Sequence, residues 1–591
     1  MVANQSDAAR SSGIYGLFNL DGAPIDTHDA QLLGVTQIAE RQSWQTDGHD
    51  NNFPNVISSH HSAAGFTLLV GEVEEAEALC ALLGLQRGIP NAELAQAALA
   101  RFGTELPATL TGEWSLLNRA PNGTLTLMLS AAKRDRMHYA VMGNRIAVAP
   151  NLFAITRLDW VDTTIDEAGL LFPLGRSQVR AARGATTMIA AVFQLEAGTS
   201  VTIQPDGRIK TAAAQILVEQ PRWQGCYDDA VAETEHLLRD ILRAKLGRNR
   251  CVASTLSGGL DSSLLTWLGA EECASDTRLL ALTSVAPPGS GISDEVHFAD
   301  LVAKTLGIRR DNVFPAHNVN IYRPPETILA GGSGPILSNR HCLTNALQMA
   351  AQGVGATLML DGTYGELSAT ARLYTPGPMR QLRMIAAKLL RSTSSFNRPQ
   401  SERLPFHVRL APHRMAQLPE PLKAALIVPA PSPTSPKSNG LMNYVSVAGK
   451  ALSLPNEFYP GAVRMAHPYR DIRLLKLFAG FPLQMLVKGG ADRGVARSMM
   501  AGHLPDAIRL RRGGMPASPD HLTRLQRQAD AARLRISLFR KSEVDDWLDL
   551  DWLDVTLQSV AANGPVNVDQ ANEVQLTAIA AEFLLWWRQQ T

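Results

Sequence analysis

Seven residues, Ser257-Gly258-Gly259-Leu260-Asp261-Ser262-Ser263, constrain this chain more than any other stretch. The apolar run Val252 to Leu256 precedes them and the helical pattern Leu264-Leu265-Thr266-Trp267-Leu268 follows, so the order reads strand, tight glycine loop, helix. Two adjacent glycines let the backbone approach an anion closely. Free N–H groups at a helix start and three serine hydroxyls supply donors for a pyrophosphate. Asp261 sits among those donors and would repel phosphate unless a cation lay between them, which assigns it to Mg²⁺. A lone Gly-Gly pair would read as a solvated turn; the whole heptapeptide with its flanks reads as a nucleotide loop.

At 591 residues the chain is long enough for two or more domains, each with its own core. Hydrophobic content of 45% and charged content of 19% are those of a folded globular protein. Lys+Arg 56 against Asp+Glu 55 leaves no basic excess, so nucleic acid is not an expected partner. Cys80, Cys226, Cys251, Cys273 and Cys342 form no Cys-x-x-Cys pair, which signals neither zinc nor a disulfide framework and predicts buried, reduced thiols. Met1 to Ser12 lacks a basic-then-apolar signal, and the apolar run near Leu474 to Val487 is too short and interrupted to span a bilayer. The expectation is a cytoplasmic protein with no membrane insertion.

From Ile14 to about Ala214 the pattern is short strands and turns: Gly16 to Leu20 before Asp21-Gly22, Leu125 to Leu129, Ala140 to Met142 before Gly143-Asn144, and Thr199 to Ile203. This predicts a layered α+β domain over residues 1–214. After Trp223 a long helical pattern, Tyr227 to Lys245, alternates with apolar strands at Val252 to Leu256, Leu279 to Val285 and Thr357 to Leu360. That alternation predicts a doubly wound parallel sheet within residues 215–591, with Ser257 and Asp361 directly after strands, where such sheets bind ligands. Residues 371–444 break the rhythm with a basic stretch from Arg372 to Arg414 and the run Pro429 to Pro436. The proline run predicts a mobile loop. The basic stretch reads as a solvated helical face or as a peptide- or phosphate-facing surface.

Ser257 to Ser263 resembles the PP-loop of ATP pyrophosphatases, in the form found in asparagine synthetases and their relatives. Further blocks are similar to the same family: Ser12-Gly13-Ile14-Tyr15-Gly16 to the opening of its glutaminase domain, Gly112-Glu113-Trp114 and Arg134-Asp135-Arg136 to later glutaminase blocks, and Asp294-Glu295, His467 to Asp471 and Leu504 to Ile508 to its synthetase signatures. The resemblance implies an N-terminal glutaminase-like domain of the N-terminal-nucleophile type and an α/β PP-loop domain. It also implies ATP binding at Leu256, Ser257, Gly258, Gly259, Asp261, Ser262, Ser263, Thr283, Asp361 and Gly362, and Mg²⁺ at Asp261 and Glu366.

One departure bears on function. A glutaminase of this family uses an N-terminal cysteine, its thiolate attacking glutamine with the α-amine as base; here Ser12 stands in that place with eleven residues before it. Ammonia from glutamine is therefore not expected. Two branches that use a substrate amine instead are the β-lactam synthetases and the lasso peptide macrolactam synthetases. Asp361-Gly362-Thr363-Tyr364-Gly365-Glu366-Leu367-Ser368 and Tyr15 to Gly22 resemble the lasso branch, while Thr363 falls where a β-lactam synthetase carries its catalytic tyrosine, leaving Tyr364 as the neighbouring candidate. Gly513 occupies the place of the lysine that stabilises the acyl-adenylate transition state in relatives. Arg512 or Arg511 can neutralise the developing charge instead, the arginine pair reading equally well as surface charge, and Lys488 is a third candidate for phosphate contact. The lasso resemblance implies a precursor core peptide as substrate, with a leader-binding protein and a leader protease as partners. The alternatives are an ammonia-dependent asparagine synthetase, a β-lactam synthetase and a non-catalytic nucleotide-binding module.

Overall fold

The computed structural model describes residues 12–590 apart from 36–38, 42–43, 50–56, 133–135, 216–219, 248, 316–318, 332–333, 336–337, 372–404, 428–462, 489–490, 515–516 and 565–567. Most of the basic stretch and the run Pro429 to Pro436 lie outside the described residues.

Two six-stranded antiparallel sheets are built by the described part of the N-terminal region. The first orders Val192–Gln194, His138–Met142, Arg145–Ala149, Gly13–Asn19, Trp44–His49 and Ala39–Arg41; the second orders Ile209–Ala213, Thr199–Ile203, Leu125–Leu129, Gly112–Arg119, Gly65–Val73 and Ile57–Ser62. Strand side chains alternate between faces, and here both faces are apolar. Ile14 and Phe18 point between the sheets, where they meet Leu68, Val70, Leu117 and Leu127. Tyr15 and Leu17 point outward into a helical layer, while Leu69, Leu116 and Met128 of the second sheet meet the helices Ala76–Leu83 and Asn91–Phe102. The result is a helix, sheet, sheet, helix sandwich, as the resemblance implied.

The C-terminal region holds a five-stranded, wholly parallel sheet ordered Arg309–Val313, Arg278–Ser284, Cys251–Thr255, Leu358–Leu360, Arg464–Ala466. The chain winds outward one way from Cys251–Thr255 and then returns to its other side at Leu358–Leu360. Strand order thus reverses between these two neighbours, opening a crevice at their carboxyl ends. The loops beginning at Ser257 and Asp361 are the ones that leave there.

The helix Tyr227–Leu246 joins the two regions. Its start is a capping box in which Cys226 takes the role usual for serine: the Asp229 N–H donates to its Sγ and its own N–H donates to Asp229 Oδ2 at 2.9 Å. Cys226 is therefore exposed and Cys273 half-buried, unlike the buried thiols expected; Cys80, Cys251 and Cys342 are buried. At the other end of the helix, Lys245 reaches into the N-terminal domain, with Nζ 3.0 Å from Glu74 Oε1 and 2.9 Å from Glu113 Oε1. Arg473 pairs with Glu74, with Glu75 at 3.1 Å and with Asp471 at 2.6 Å, and Arg464 pairs with Glu72. The Lys245 and Glu74 side chains are each only 5% exposed, so the domains are joined through buried charge.

Further along, the helices His521–Arg533, Leu550–Ala561 and Val568–Gln590 close over the outer face of the first sheet. Phe153 lies against Trp586, Trp587 and Phe583 at ring separations of 4.9, 5.2 and 6.2 Å. Two arginines of the expected insertion are packed rather than solvated: Arg409 lies over the Trp552 ring, and Arg414 over Trp547 with an ion pair to Glu167 at 3.0 Å. Among the described residues no helix is long and apolar enough to cross a membrane.

Candidate active site

The loop after Cys251–Thr255 has its shape enforced by contact. Gly258 adopts φ +70°, and a Cβ there would lie 2.5 Å from Phe298 Cβ, so only glycine fits on both counts. Gly259 caps the helix Leu260–Glu272. Gly362 faces it across the crevice with ordinary φ but no room, since a Cβ would sit 2.9 Å from the Ser262 nitrogen. The Gly258→Ala variant is expected to lose at least tenfold in nucleotide-dependent turnover: the left-handed backbone costs about 1–2 kcal/mol before the overlap with Phe298 is counted. Steady-state pyrophosphate release checks it.

The serines divide the work. Ser257 Oγ lies 3.1 Å from Ser262 Oγ and accepts from the Gly259 N–H at 3.3 Å, while Ser262 Oγ also accepts from the Ser257 N–H at 3.1 Å. Ser257 faces the cleft, whereas Ser262 and Ser263 are turned inward by the helix, so the donors expected of them brace the loop or lie buried behind it. Leu256 is buried and its carbonyl accepts from the Thr283 hydroxyl at 2.7 Å, which fixes Thr283 on the cleft wall.

The cleft has a volume of about 630 Å³ and is walled by Ser257, Gly259, Asp261, Thr283, Ser284 and Glu295 on one side and by Asp492, Arg493, Arg497, Arg511 and Arg512 on the other. Asp261 is held from three directions. The Thr370 hydroxyl donates to its Oδ1, Arg493 Nη1 stands 3.5 Å from its Oδ2, and the Tyr469 hydroxyl donates to its backbone carbonyl at 2.9 Å. Burial, with the nearby Asp261 charge, keeps the Tyr469 hydroxyl protonated by raising its pKa well above the usual value. Sequence reasoning missed Thr370, Tyr469 and Arg493, which come from segments more than 100 residues away in sequence.

The arginines differ in freedom. Arg511 is pinned: it donates to the Gly258 carbonyl at 2.8 Å, pairs with Glu295 and stacks on the Phe298 ring at 4.2 Å. Arg497 is buried and donates to the carbonyls of Asp492, Arg509 and Arg511, fixing the segment that carries Arg512. Among the described residues Arg512 has no hydrogen-bond or ion-pair partner, and it lines the cleft from an exposed position. Lys488 stands apart from these groups, exposed over the Tyr227 ring and paired with Asp228 at 3.0 Å.

The loop after Leu358–Leu360 reaches the site mainly through its backbone. Asp361 Oδ1 accepts from the Thr363 N–H at 2.9 Å and its hydroxyl at 2.7 Å. Tyr364 is buried at φ +78°, a strained conformation for a bulky residue, with its ring edge-on to His467 at 5.1 Å and under Arg470 at 5.0 Å. Burial raises the Tyr364 pKa against the opposing effect of Arg470. Burial likewise holds the His467 imidazole below its usual range, although Asp361 and Glu113 act to charge it. His467 thus lies between this loop and the charges at the domain interface. Glu366 is exposed and does not line the cleft, and neither does Tyr364.

Nucleotide fits these residues. A glycine-forced loop opens at a helix start, cationic side chains face it, and among the described residues the buried Ser284 hydroxyl at the cleft has no partner. Among the described residues no group of three or more His, Cys, Asp or Glu side chains is placed to hold a metal. A Mg²⁺ carried by one carboxylate and substrate phosphates needs no such group, and Asp261 is the loop carboxylate available for it.

A family profile described as "Asparagine synthase" matches residues 233–402 and 462–588, just over half of the chain. No curated protein matches the sequence. Among solved structures, a glutamine phosphoribosylpyrophosphate amidotransferase from B. subtilis, complexed with ADP and GMP, is 12% identical over 61% of this chain and 72% of its own, with a TM-score of 0.22. An allosteric regulatory enzyme of purine biosynthesis is 13% identical over 65% and 74%, also at 0.22, and the U34-tRNA thiolase NcsA of Methanococcus maripaludis is 17% identical over 40% and 89%, at 0.20. The family match falls on the parallel sheet, its nucleotide loop and the arginine wall, and by it the chain belongs to the asparagine synthase family, whose members form amide bonds at the expense of ATP.

Proposed function

We propose that this protein is a lasso peptide macrolactam synthetase. A side-chain carboxylate of Asp or Glu in the precursor core peptide attacks the α-phosphorus of ATP, giving an acyl-adenylate and pyrophosphate. The N-terminal amine of the same peptide then attacks the activated carbonyl, loses a proton and displaces AMP, closing an isopeptide ring. That amine has an unperturbed pKa of about 7.7–8.0, so part of it is neutral near pH 7. Mg²⁺, when bound, would neutralise phosphate charge beside Asp261.

The residues of the chain divide this task. The start of the helix Leu260–Glu272 offers donors to phosphate oxygens, and Arg493 and Arg512 face the space into which pyrophosphate charge develops. Arg512, next to Gly513, supplies the cation that relatives take from lysine, while Arg511 is committed to holding Gly258 and Glu295. Tyr364 and Lys488, away from the cleft lining, act on the reaction only through neighbouring groups. Shape is the larger demand on the site. Ordering ten peptide residues costs on the order of 10–20 kcal/mol, at about 1–2 kcal/mol per residue, so walls that pre-thread the peptide matter more than the amide step.

What supports this reading is a cleft that fits a nucleotide, in a chain whose Ser12 falls where the resembled glutaminases carry their cysteine nucleophile. On this reading the amine comes from the substrate rather than from glutamine. A leader-binding protein and a leader protease would deliver the processed peptide. Mass spectrometry of a leader-free core peptide incubated with ATP, Mg²⁺ and this protein is expected to show loss of one water with stoichiometric AMP. Asparagine made from aspartate and ammonium, or nitrogen drawn from glutamine, would replace this reading.

A further inference from the structure

A second group of cations lies away from the cleft lining. Arg176, Arg180 and Arg183 flank or belong to the short helix Ser177–Ala181, spaced so that they share one side of the turn. His407 is brought against them by the segment after residue 404, which is pinned in two places: the Arg176 N–H donates to the Pro405 carbonyl at 2.9 Å and the His407 N–H to the Leu174 carbonyl at 2.9 Å.

Several other enclosed arginines have carboxylates. Arg473 has Asp471, Glu74 and Glu75; Arg535 has Glu582; Arg511 has Glu295. Arg180 has none: among the described residues it makes no hydrogen bond or ion pair, and its Nε is buried without a partner. Arg183 spends one N–H on the neutral Gln194 Oε1 at 2.8 Å, with Glu196 near enough to act on it by charge only. Burial, then the Arg183 charge, brings the Arg180 pKa down to about 10, and burial with Arg180 and Arg176 holds His407 down to about 4. A largely enclosed guanidinium without a counter-charge is costly, and since Arg180, Arg183 and His407 all keep part of their surface accessible to solvent, an anion reaching them would remove the cost.

We infer that Arg180, Arg183 and His407 form a binding site for an oxyanion of a ligand, a carboxylate or a phosphate group taken by the two guanidinium forks. The planar forks suit paired oxygens, and neutral His407 can donate one N–H to the same group. The site is independent of the reaction assigned to the cleft.

Thermal unfolding is followed while inorganic phosphate, or a capped tripeptide with a free carboxylate, replaces chloride at constant ionic strength. The amidated tripeptide is the control, and it is expected to have no effect. Arg180→Gln is expected to weaken the stabilising anion at least tenfold in apparent Kd and to melt no lower than wild type without anion, because it removes an unpaired charge. Arg512→Ala, in the cleft, is expected to keep that response, which separates the two sites. Arg183→Gln repeats the test should Arg180→Gln not fold. Response to the peptide alone identifies a carboxylate ligand, and response to phosphate alone a phosphate ligand. Identical titrations of wild type and both glutamine variants, or no response to either anion, overturn the inference.

Discussion

Replacing Asp261 by Asn is expected to lower substrate-dependent pyrophosphate release by about 10²–10³-fold, the usual cost of deleting one preorganised charge-stabilising group. The fold is expected to survive. An asparagine oxygen can still accept from the Thr370 hydroxyl, and the Tyr469 hydroxyl still holds the backbone carbonyl at 2.9 Å. What disappears is the negative charge beside Arg493 and with it the carboxylate offered to Mg²⁺. A coupled pyrophosphate assay on the variant, with thermal melting as control, reads both quantities. A rate within threefold of wild type would remove Asp261 from the reaction.

Lys245→Ala is expected to destabilise the protein by about 3–5 kcal/mol, because Glu74 and Glu113 would remain buried around a missing cation. Urea unfolding followed by tryptophan fluorescence measures it. The combination of Lys245→Met with Glu74→Gln and Glu113→Gln is expected to recover much of the loss, since the desolvated charges go together. Burial acts to lower the Lys245 pKa, yet Glu113 and Glu74 overcome it and raise it above the ordinary 10.5. For Glu113, burial acts upward, but Lys245 and Arg464 hold it below 4.5. A raised lysine stabilises fully below 10.5 and loses its contribution as pH climbs through the raised value. A lowered carboxylate stabilises above 4.5 and loses its contribution as pH falls through the lowered value. The stabilisation by this network is therefore expected to be level between those limits and to weaken outside them in both directions.

Local pattern carried the nucleotide loop. The apolar run read as Val252 to Leu256 is the strand Cys251–Thr255, and the helix begins at Leu260 because Gly259 can cap it. Leu125–Leu129 and Thr199–Ile203 were equally legible, being short alternating runs between turns. The partners of Asp261 were not, since Thr370, Tyr469 and Arg493 meet it only through the sheet's crossovers. Glu366 looked like a second metal carboxylate by its place in the motif, but it is exposed and off the cleft lining. Lys488 looked suited to phosphate by charge alone, and Asp228 took it. The pairing of Lys245 with Glu74 and Glu113 had no local signature either, because a charged residue on an amphipathic helix ordinarily faces water.

The helix Val568–Gln590, with Phe583, Trp586 and Trp587 against Phe153, has a bearing on how the chain comes to fold. The outer layer over Tyr15 and Leu17 is finished by residues synthesised long after them, so the emerging first sheet keeps an apolar surface uncovered until those residues are made. Chaperone dependence during synthesis, and failure of the sandwich to express without its late partner, are the natural corollaries.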